Sequence, residues 1–336
     1  MTTFAFTDTE QPVRYGGVLL DVRNAHTADE LLKETHLDWE VVQRPLSVVQ
    51  RDSRGRLAGS QTVESHVANV RTDTGAVVGV VGTRYRVVPK HDAFDFADNL
   101  VESGEASWVG ARETGGGSRI HAALRINRDL YLPGLEDDKL EPLLFLHEAY
   151  DGDLSLTFQA LVLRLICLNG MVVRAKGIER YEWKVRHTET FDQKLIEARR
   201  ALGLVNTYFD QFTDLGERLL ALKLDPHAFE RFLGQLVPYP KDILQLTAEE
   251  LAKDRRVTNT ETVRAAIAAQ LERDDLANFK RTGWGAFNAV AAYIDHDAPV
   301  RATGKHSVVE QRFLRLLGGE RGALKQRAVD LLLSTN

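Results

Sequence analysis

The stretch Leu161–Met171, reading L-V-L-R-L-I-C-L-N-G-M, narrows the folds open to this chain more than any other. It is an apolar run with an arginine in its middle, closed by Asn169-Gly170. A charge set among so many aliphatic side chains must reach water or find an acid, because an unpaired buried charge is too costly to keep. Arg164 is therefore either a structural clasp or part of a binding surface. The same run divides the chain, with alternating, β-branched segments before it and apolar residues at helical spacing after it.

In the front part, Gly17–Val22 and Trp39–Val49 predict strands, the second kept to an edge or bend by Pro45, and Thr27–His36 predicts a short helix. Val67–Arg71 and Ala76–Val81 flank Asp73-Thr74-Gly75, a hairpin signal. Thr83–Pro89 alternates, with Arg84 and Arg86 on one face and Tyr85 and Val87 on the other, and predicts a further strand. His91–Ser103 places Phe94, Ala97, Leu100 and Val101 at helical spacing. Ala106–Arg112 and Ser118–Ile126 flank three glycines as a second hairpin. In its second strand Ile120, Ala122, Leu124 and Ile126 face inward, and Arg119, His121, Ala123 and Arg125 face out. Leu130–Asp153 contains Pro133, Gly134, Pro142, Gly152 and the acidic run Glu136-Asp137-Asp138; it reads as connection around one buried segment, Leu143–Leu146.

After the opening stretch, Arg180–Arg186 alternates once more, with Arg180, Glu182, Lys184 and Arg186 on one face. From Phe191 the period becomes helical: Leu195, Ala198, Leu202, Val205 and Phe209 predict a long helix with apolar spacing as far as Leu222. Asp225-Pro226 opens another helix, which Pro238 and Pro240 end. Thr260–Leu271, Trp284–Tyr293 and Val308–Leu333 predict more, the last broken at Gly318-Gly319. The pattern is α+β: an N-terminal β-rich antiparallel sheet with one or two packed helices, then an all-helical C-terminal region. The expected division is an α+β domain over 1–188 and a helical domain over 189–336.

Composition excludes several classes. With 43% hydrophobic and 27% charged residues the chain reads as a globular protein. No window approaches the ~20 uninterrupted apolar residues of a membrane span, and the N-terminus lacks a basic start with an apolar core, so a cytoplasmic protein is expected. A single cysteine excludes an internal disulfide and a multi-cysteine metal site. Cys167 sits in the apolar run without an adjacent base and reads as a small buried hydrophobe. The net charge of -5 argues against a protein that coats DNA by bulk positive charge. The whole deficit lies before residue 187, yet residues 160–187 run the other way, with six basic and two acidic residues.

The candidate binding residues are therefore cations on strand faces: Arg84, Arg86, Arg119, Arg125, Arg164, Arg174, Lys176, Arg180, Lys184 and Arg186. Cations interleaved with aromatics, as in Arg84-Tyr85-Arg86 and Arg180-Tyr181-Glu182-Trp183-Lys184, suit a groove that follows phosphates while rings stack on unpaired bases. The competing reading is a solvated outer sheet face with the aromatics turned inside. His147-Glu148 with Asp151 and Asp153 superficially suggests a metal site, but the aspartate at 151 beside Gly152 favours a solvated acidic loop. Asp295-His296-Asp297 ends a predicted helix and reads as a cap. Gly115–Gly117 lacks the ending of a phosphate loop, and Trp284, Phe287 and Val290 recur as helix core. No catalytic constellation and no cofactor site is expected.

Three ordered motifs, Y-R-V-V-P-K-H-D-A-F-D-F from Tyr85, R-L-I-C-L-N-G from Arg164 and T-G-W-G-A-F-N-A-V-A-A-Y-I-D-H from Thr282, resemble the phage/plasmid-like family catalogued as domain of unknown function 932. Arg164, Cys167, Asn169 and Gly170 carry the second, and Thr282, Asn288, Ala289, Tyr293, Asp295 and His296 the third. The resemblance covers nearly the whole chain. One departure is Asn169-Gly170-Met171 where many members read Asn-Thr-Leu. The resemblance implies a phage, prophage or plasmid setting and no chemistry. The expectation is a non-enzymatic nucleic-acid-binding protein of a mobile element, handling single-stranded DNA in replication or recombination. The order of hairpins and amphipathic helix is similar to that of single-strand annealing recombinases. An alternative is an interaction protein that self-assembles through its helical region or binds a host factor. A metal-dependent enzyme using His147, Glu148 or Asp295–Asp297 is a third.

Overall fold

Strands fill the chain as far as Val185 and helices from Phe191 onward, an α+β fold. The computed structural model describes residues 5–8, 11–14, 20–22, 25–154, 156–165, 169–171, 182–185, 191–317 and 319–334. β1 (Ala5–Asp8) and β2 (Gln11–Arg14) pair with each other. The main sheet is antiparallel and runs in the order β12 (Asn169–Met171), β11 (Leu156–Arg164), β10 (Leu135–Ala149), β8 (Arg119–Ile126), β7 (Ala106–Thr114), β3 (Leu20–Asp21). β9 (Leu130–Leu132) pairs with β10, and β13 (Glu182–Val185) with the start of β11. A second sheet holds β4 (Val41–Arg51), β5 (Leu57–Arg71) and β6 (Val77–Gly82).

β11 is buried along its whole length. An antiparallel strand reads this way only when both faces of its sheet are covered. One face packs on the principal core, which also takes in Val205 to Leu219 of α4 (Phe191–Ala221) and Trp284 to Val290 of α8 (Gly283–Ala292). That core draws on both halves of the chain, from Val22 to Leu332. The other face, with Val109, Ala123, Leu143, Phe145, Leu161 and Leu163, is closed by Phe313 and Leu316 of α9 (Val308–Leu316). The outward residues of β8 are thus not a solvated row: His121 and Ala123 lie under α9, and only the flanking Arg119 and Arg125 retain exposure.

Several segments depart from their sequence reading. Leu130–Asp153 is not a connection but supplies β9 and β10, a central strand of the sheet. Pro142 is tolerated there because β8 pairs with β10 only from Leu143 onward, leaving β11 as its one neighbour. Thr83–Pro89 is not a strand. Tyr85 N–H turns back to the Gly82 carbonyl, and its hydroxyl donates to the Ala149 carbonyl at 2.7 Å while Val87 and Val88 enter the core. The helix expected from His91 is broken into α2 (Lys90–Phe94) and α3 (Asp98–Glu102) around a single 3-10 turn. Asp98, freed at that junction, accepts from Ala28 N–H at the start of α1 (Ala28–Glu34) and from Trp108 Nε1.

Among the described residues the second sheet is fixed at one end. Asn69 donates to the Tyr150 carbonyl at 2.7 Å, and Gly79 lies so close to that carbonyl that a Cβ would fall 2.0 Å from it. Beyond the reach of β6, β4 and β5 continue as a two-stranded ribbon with most side chains exposed.

The remaining helices are α5 (Pro226–Leu236, capped by Asp225), α6 (Ala248–Lys253), α7 (Arg255–Gln270) and α10 (Gly319–Ser334). Between Val205 and Leu219, the apolar stripe of α4 faces this chain's own core, so that length offers no free seam for a second copy. The side chains of Leu195 and Leu202 lie outside the described residues. Among the described residues no helix is long and apolar enough to cross a membrane.

Arg164, with no exposed surface, is held between two acids. Its Nε meets both oxygens of Asp138 at 2.7 and 2.8 Å, and its terminal nitrogens meet Asp275 Oδ2 and the Asp275 carbonyl at 2.7 Å. Arg164→Met leaves the Asp138 carboxylate without its cation and Asp275 with Arg273 alone, and is expected to lower stability by about 3–5 kcal/mol. A shift of the urea midpoint at unchanged slope measures this; a shift below ~1 kcal/mol would show that the clasp carries little.

Candidate functional site

The sequence-derived cations do not form one described groove. Arg84 and Arg86 are exposed on the irregular segment 83–89, whose Val87 and Val88 lead into the principal core. Arg119 and Arg125 lie on the opposite face, the one α9 covers. Both are near acids: Arg119 is 3.3 Å from Asp151 and 3.0 Å from Asp153, and Arg125 is 4.0 Å from Glu141. Arg164 is buried and its guanidinium is occupied, so it presents nothing to a surface ligand. Lys184 is opposite Thr157 in the sheet register, and its side chain is outside the described residues. Arg174, Lys176, Arg180, Arg186 and Cys167 also lie outside them.

Among the described residues, an exposed basic element is instead the tip of the β4–β5 ribbon. Arg51, Arg54 and Arg56 project there with one acid, Asp52. Asp52 shapes the turn: its carboxylate accepts from Arg54 N–H at 2.8 Å, Arg56 N–H at 3.0 Å and Arg56 Nε at 2.9 Å. Those bonds, led by the one from the Arg56 backbone, hold its carboxyl below the ordinary range. Arg51 reaches the Gly55 carbonyl, and Gly55 takes a φ of 75°. The signal for this tip was present as R-D-S-R-G-R between two β-branched runs, a turn in which three of six residues are arginine.

The second and third family-like motifs converge on one buried junction. Gly170 N–H donates to Asp295 Oδ2 at 3.0 Å, and Lys325 Nζ bridges the Gly170 carbonyl and both Asp295 oxygens at 2.6–2.8 Å. Asn169 donates to the Asn288 carbonyl, so its Oδ1 accepts, and His296 Nε2 is the donor at 3.0 Å. Both Asp295 and His296 reach β12 from the π turn Tyr293–Asp297 that follows α8. Capping is therefore not the role of Asp295: it is the buried counter-ion of Lys325. A Cβ at residue 170 would fall 2.7–2.9 Å from Leu316, which accounts for the glycine there.

The sequence pattern of the family described as Domain of unknown function (DUF932) matches residues 77–314. The chain belongs to this family. The matched span contains β6 through most of α9, hence the main sheet from β7 on, both Arg164 acids and the Asn169–Asp295 junction. The β4–β5 ribbon precedes the span matched to DUF932, and Lys325 follows it. No curated protein and no solved structure matches the chain.

His147 and Glu148, expected in a solvated loop, are buried in β10 and point to opposite faces of the sheet. His147 belongs to a polar chain beneath α9. Gln159 donates to the Leu317 carbonyl at 2.6 Å, so Gln159 Oε1 accepts from His147 Nε2 at 3.1 Å. His147 Nδ1 must then accept from His121 Nδ1 at 2.8 Å, and His121 Nε2 accepts from the Thr114 hydroxyl at 2.9 Å. Only two neutral rings satisfy this order. Burial, the largest cause, holds both histidines below the usual value, His147 down to about 4. Among the described residues no group of three or more His, Cys, Asp or Glu is placed to hold a metal ion.

The unfolded chain binds these protons near pH 6.5 and the folded protein only near 4 at His147, so the contribution is complete above 6.5 and is lost as pH falls toward 4. The unfolding free energy from urea titrations is expected to drop across that window by about 1.4 kcal/mol per pH unit for His147, with His121 acting in the same direction. The double variant His121→Asn with His147→Asn should show a flatter profile; an unchanged slope would refute the assignment.

Proposed function

We propose that this protein binds nucleic acid through the β4–β5 ribbon. The observation that carries the reading is the tip itself: three exposed arginines on an Asp52-pinned turn, set on a ribbon that projects past its sheet. A two-stranded ribbon is narrow enough to enter a DNA major groove, and arginines at its end meet phosphates or guanine edges. Between Val41 and Arg71 there is no Phe, Tyr or Trp, and the one imidazole, His66, lies back along β5 from the tip, so the arginine turn has no large ring on which to stack an unpaired base. Duplex DNA therefore replaces the single strand as the favoured partner. The phage or plasmid setting implied by the family resemblance is compatible with such a role in replication or recombination.

The test is fluorescence anisotropy of labelled duplex and single-stranded DNA over a range of salt. Arg51→Glu, Arg54→Glu and Arg56→Glu together are expected to weaken duplex binding at least about tenfold at low salt and to flatten the salt slope by about three. Binding that survives the triple reversal unchanged would remove the ribbon from the interface.

A second reading, self-assembly, has its own observation. Val48, Val49, Leu57, Val77 and Val80 are exposed on this one sheet, and β4 leaves a long edge without a neighbouring strand among the described residues. Sedimentation of the wild type should then shift with concentration. Val48→Lys with Val49→Lys should abolish the shift; a monomer at every concentration excludes the reading.

A further inference from the structure

The β4–β5 ribbon has two faces, and past the reach of β6 only one of them carries amide side chains. There the register sets Ser47 opposite Thr62, Val48 opposite Gln61, Val49 opposite Ser60 and Gln50 opposite Gly59. Opposed residues share a face, and neighbours along a strand alternate. Val48, Gln50 and Gln61 therefore lie on one side, and Ser47, Val49, Ser60 and Thr62 on the other. All seven are exposed.

The arginines at the tip do not by themselves choose a sequence. Arg51 is turned to the Gly55 carbonyl at 2.8 Å and Arg56 to Asp52 at 2.9 Å. Guanidinium groups drawn across the turn suit phosphates, which position a protein on a duplex but carry no sequence information directly. The hydroxyl face discriminates little, because serine and threonine bond to donors and acceptors alike. A glutamine is different: its amide meets adenine N6 and N7 with an acceptor and a donor at once.

The spacing of the two glutamines fits a duplex. Gln50 and Gln61 are offset by two residues along the strands, a distance of about 6.8 Å. Two base-pair steps cover about the same length. Opposite Gln61 stands Val48, whose methyl groups share its face. An A·T pair offers adenine N6 and N7 beside the thymine C5-methyl in the major groove, so one cross-strand pair of this ribbon matches one base pair. Opposite Gln50 stands Gly59, and Gln50 Oε1 lies 3.7 Å from where a Cβ would be. With no side chain there, the second amide has room to reach the groove floor.

We propose that this face lies on the floor of the major groove and selects A·T pairs two steps apart, with Gln61 and Gln50 reading adenines and Val48 the thymine methyl beside Gln61. The inference rests on the ribbon being the nucleic-acid interface and adds what that interface discriminates. The tip arginines then grip phosphates at the end of the ribbon.

The test is competition between alternating A·T and alternating G·C duplexes for the full chain at one salt concentration, read by anisotropy. In the first duplex adenines recur at every second step of each strand. It is expected to bind at least about fivefold tighter, the lower end of what one bidentate contact discriminates. Replacing adenine by 7-deazaadenine removes N7 and leaves the minor groove as it was, and should bring the ratio close to one. Deoxyuridine in place of thymine, which removes the methyl, should lower the ratio part of the way. Gln50→Ala with Gln61→Ala should abolish the preference from the protein side. Equal binding of the two duplexes, or a preference that survives 7-deazaadenine, overturns the proposal alone when the triple arginine reversal still weakens both duplexes. If that reversal weakens neither, the ribbon is not the interface and this inference falls with it.

Discussion

Two buried cations hold the sheet to the helices, and the architecture depends on their being neutralised. Arg164 at the end of β11 is gripped by Asp138 from β10 and by Asp275, which precedes α8. Lys325 of α10 passes between the Gly170 carbonyl and Asp295. Each cation is fully buried, so each acid is obligatory: the pair costs desolvation to assemble and far more to break. Both sit where β11 and β12 meet the helical half, at distances in sequence that no local interaction spans. The ion pairs thus act as registration points for a contact that apolar packing alone would leave free to slide.

The same seam carries two of the three family-like motifs, those from Arg164 and from Thr282. Asn169, Gly170, Asn288, Asp295 and His296 serve one hydrogen-bonded junction rather than a solvent-facing site. The ribbon lies before the matched span.

Much of this fold is legible in the sequence where the cause is local. Asp73-Thr74-Gly75 and the triple glycine turn hairpins, Asp225-Pro226 starts a helix, and the stripe from Val205 to Leu219 finds a core. The division of labour of Arg164 is legible as a choice, and its two acids decide it. Non-local causes are not legible. β10 is disguised by Pro142 and by Glu136-Asp137-Asp138, one of which turns out to be a partner of Arg164. Thr83–Pro89 alternates without a strand neighbour to pair with, so its tyrosine and valines pack as an isolated extended segment. His121 and His147 look like surface polar residues because the helix that buries them is far along the chain. Their hydrogen-bond order becomes apparent only once Gln159 and the Leu317 carbonyl are brought beside them.

That remote helix has a consequence for how the protein is made. The apolar row formed by Val109, Leu143, Phe145, Leu161 and Leu163 is complete once β11 has left the ribosome, but its cover, Phe313 and Leu316, is synthesised only with residues 308–316. Throughout the intervening translation a sheet with a greasy, unclosed side is attached to the growing chain, the kind of surface that draws chaperones or neighbouring nascent chains. The order of synthesis, rather than the final stability, is then where this architecture is most vulnerable.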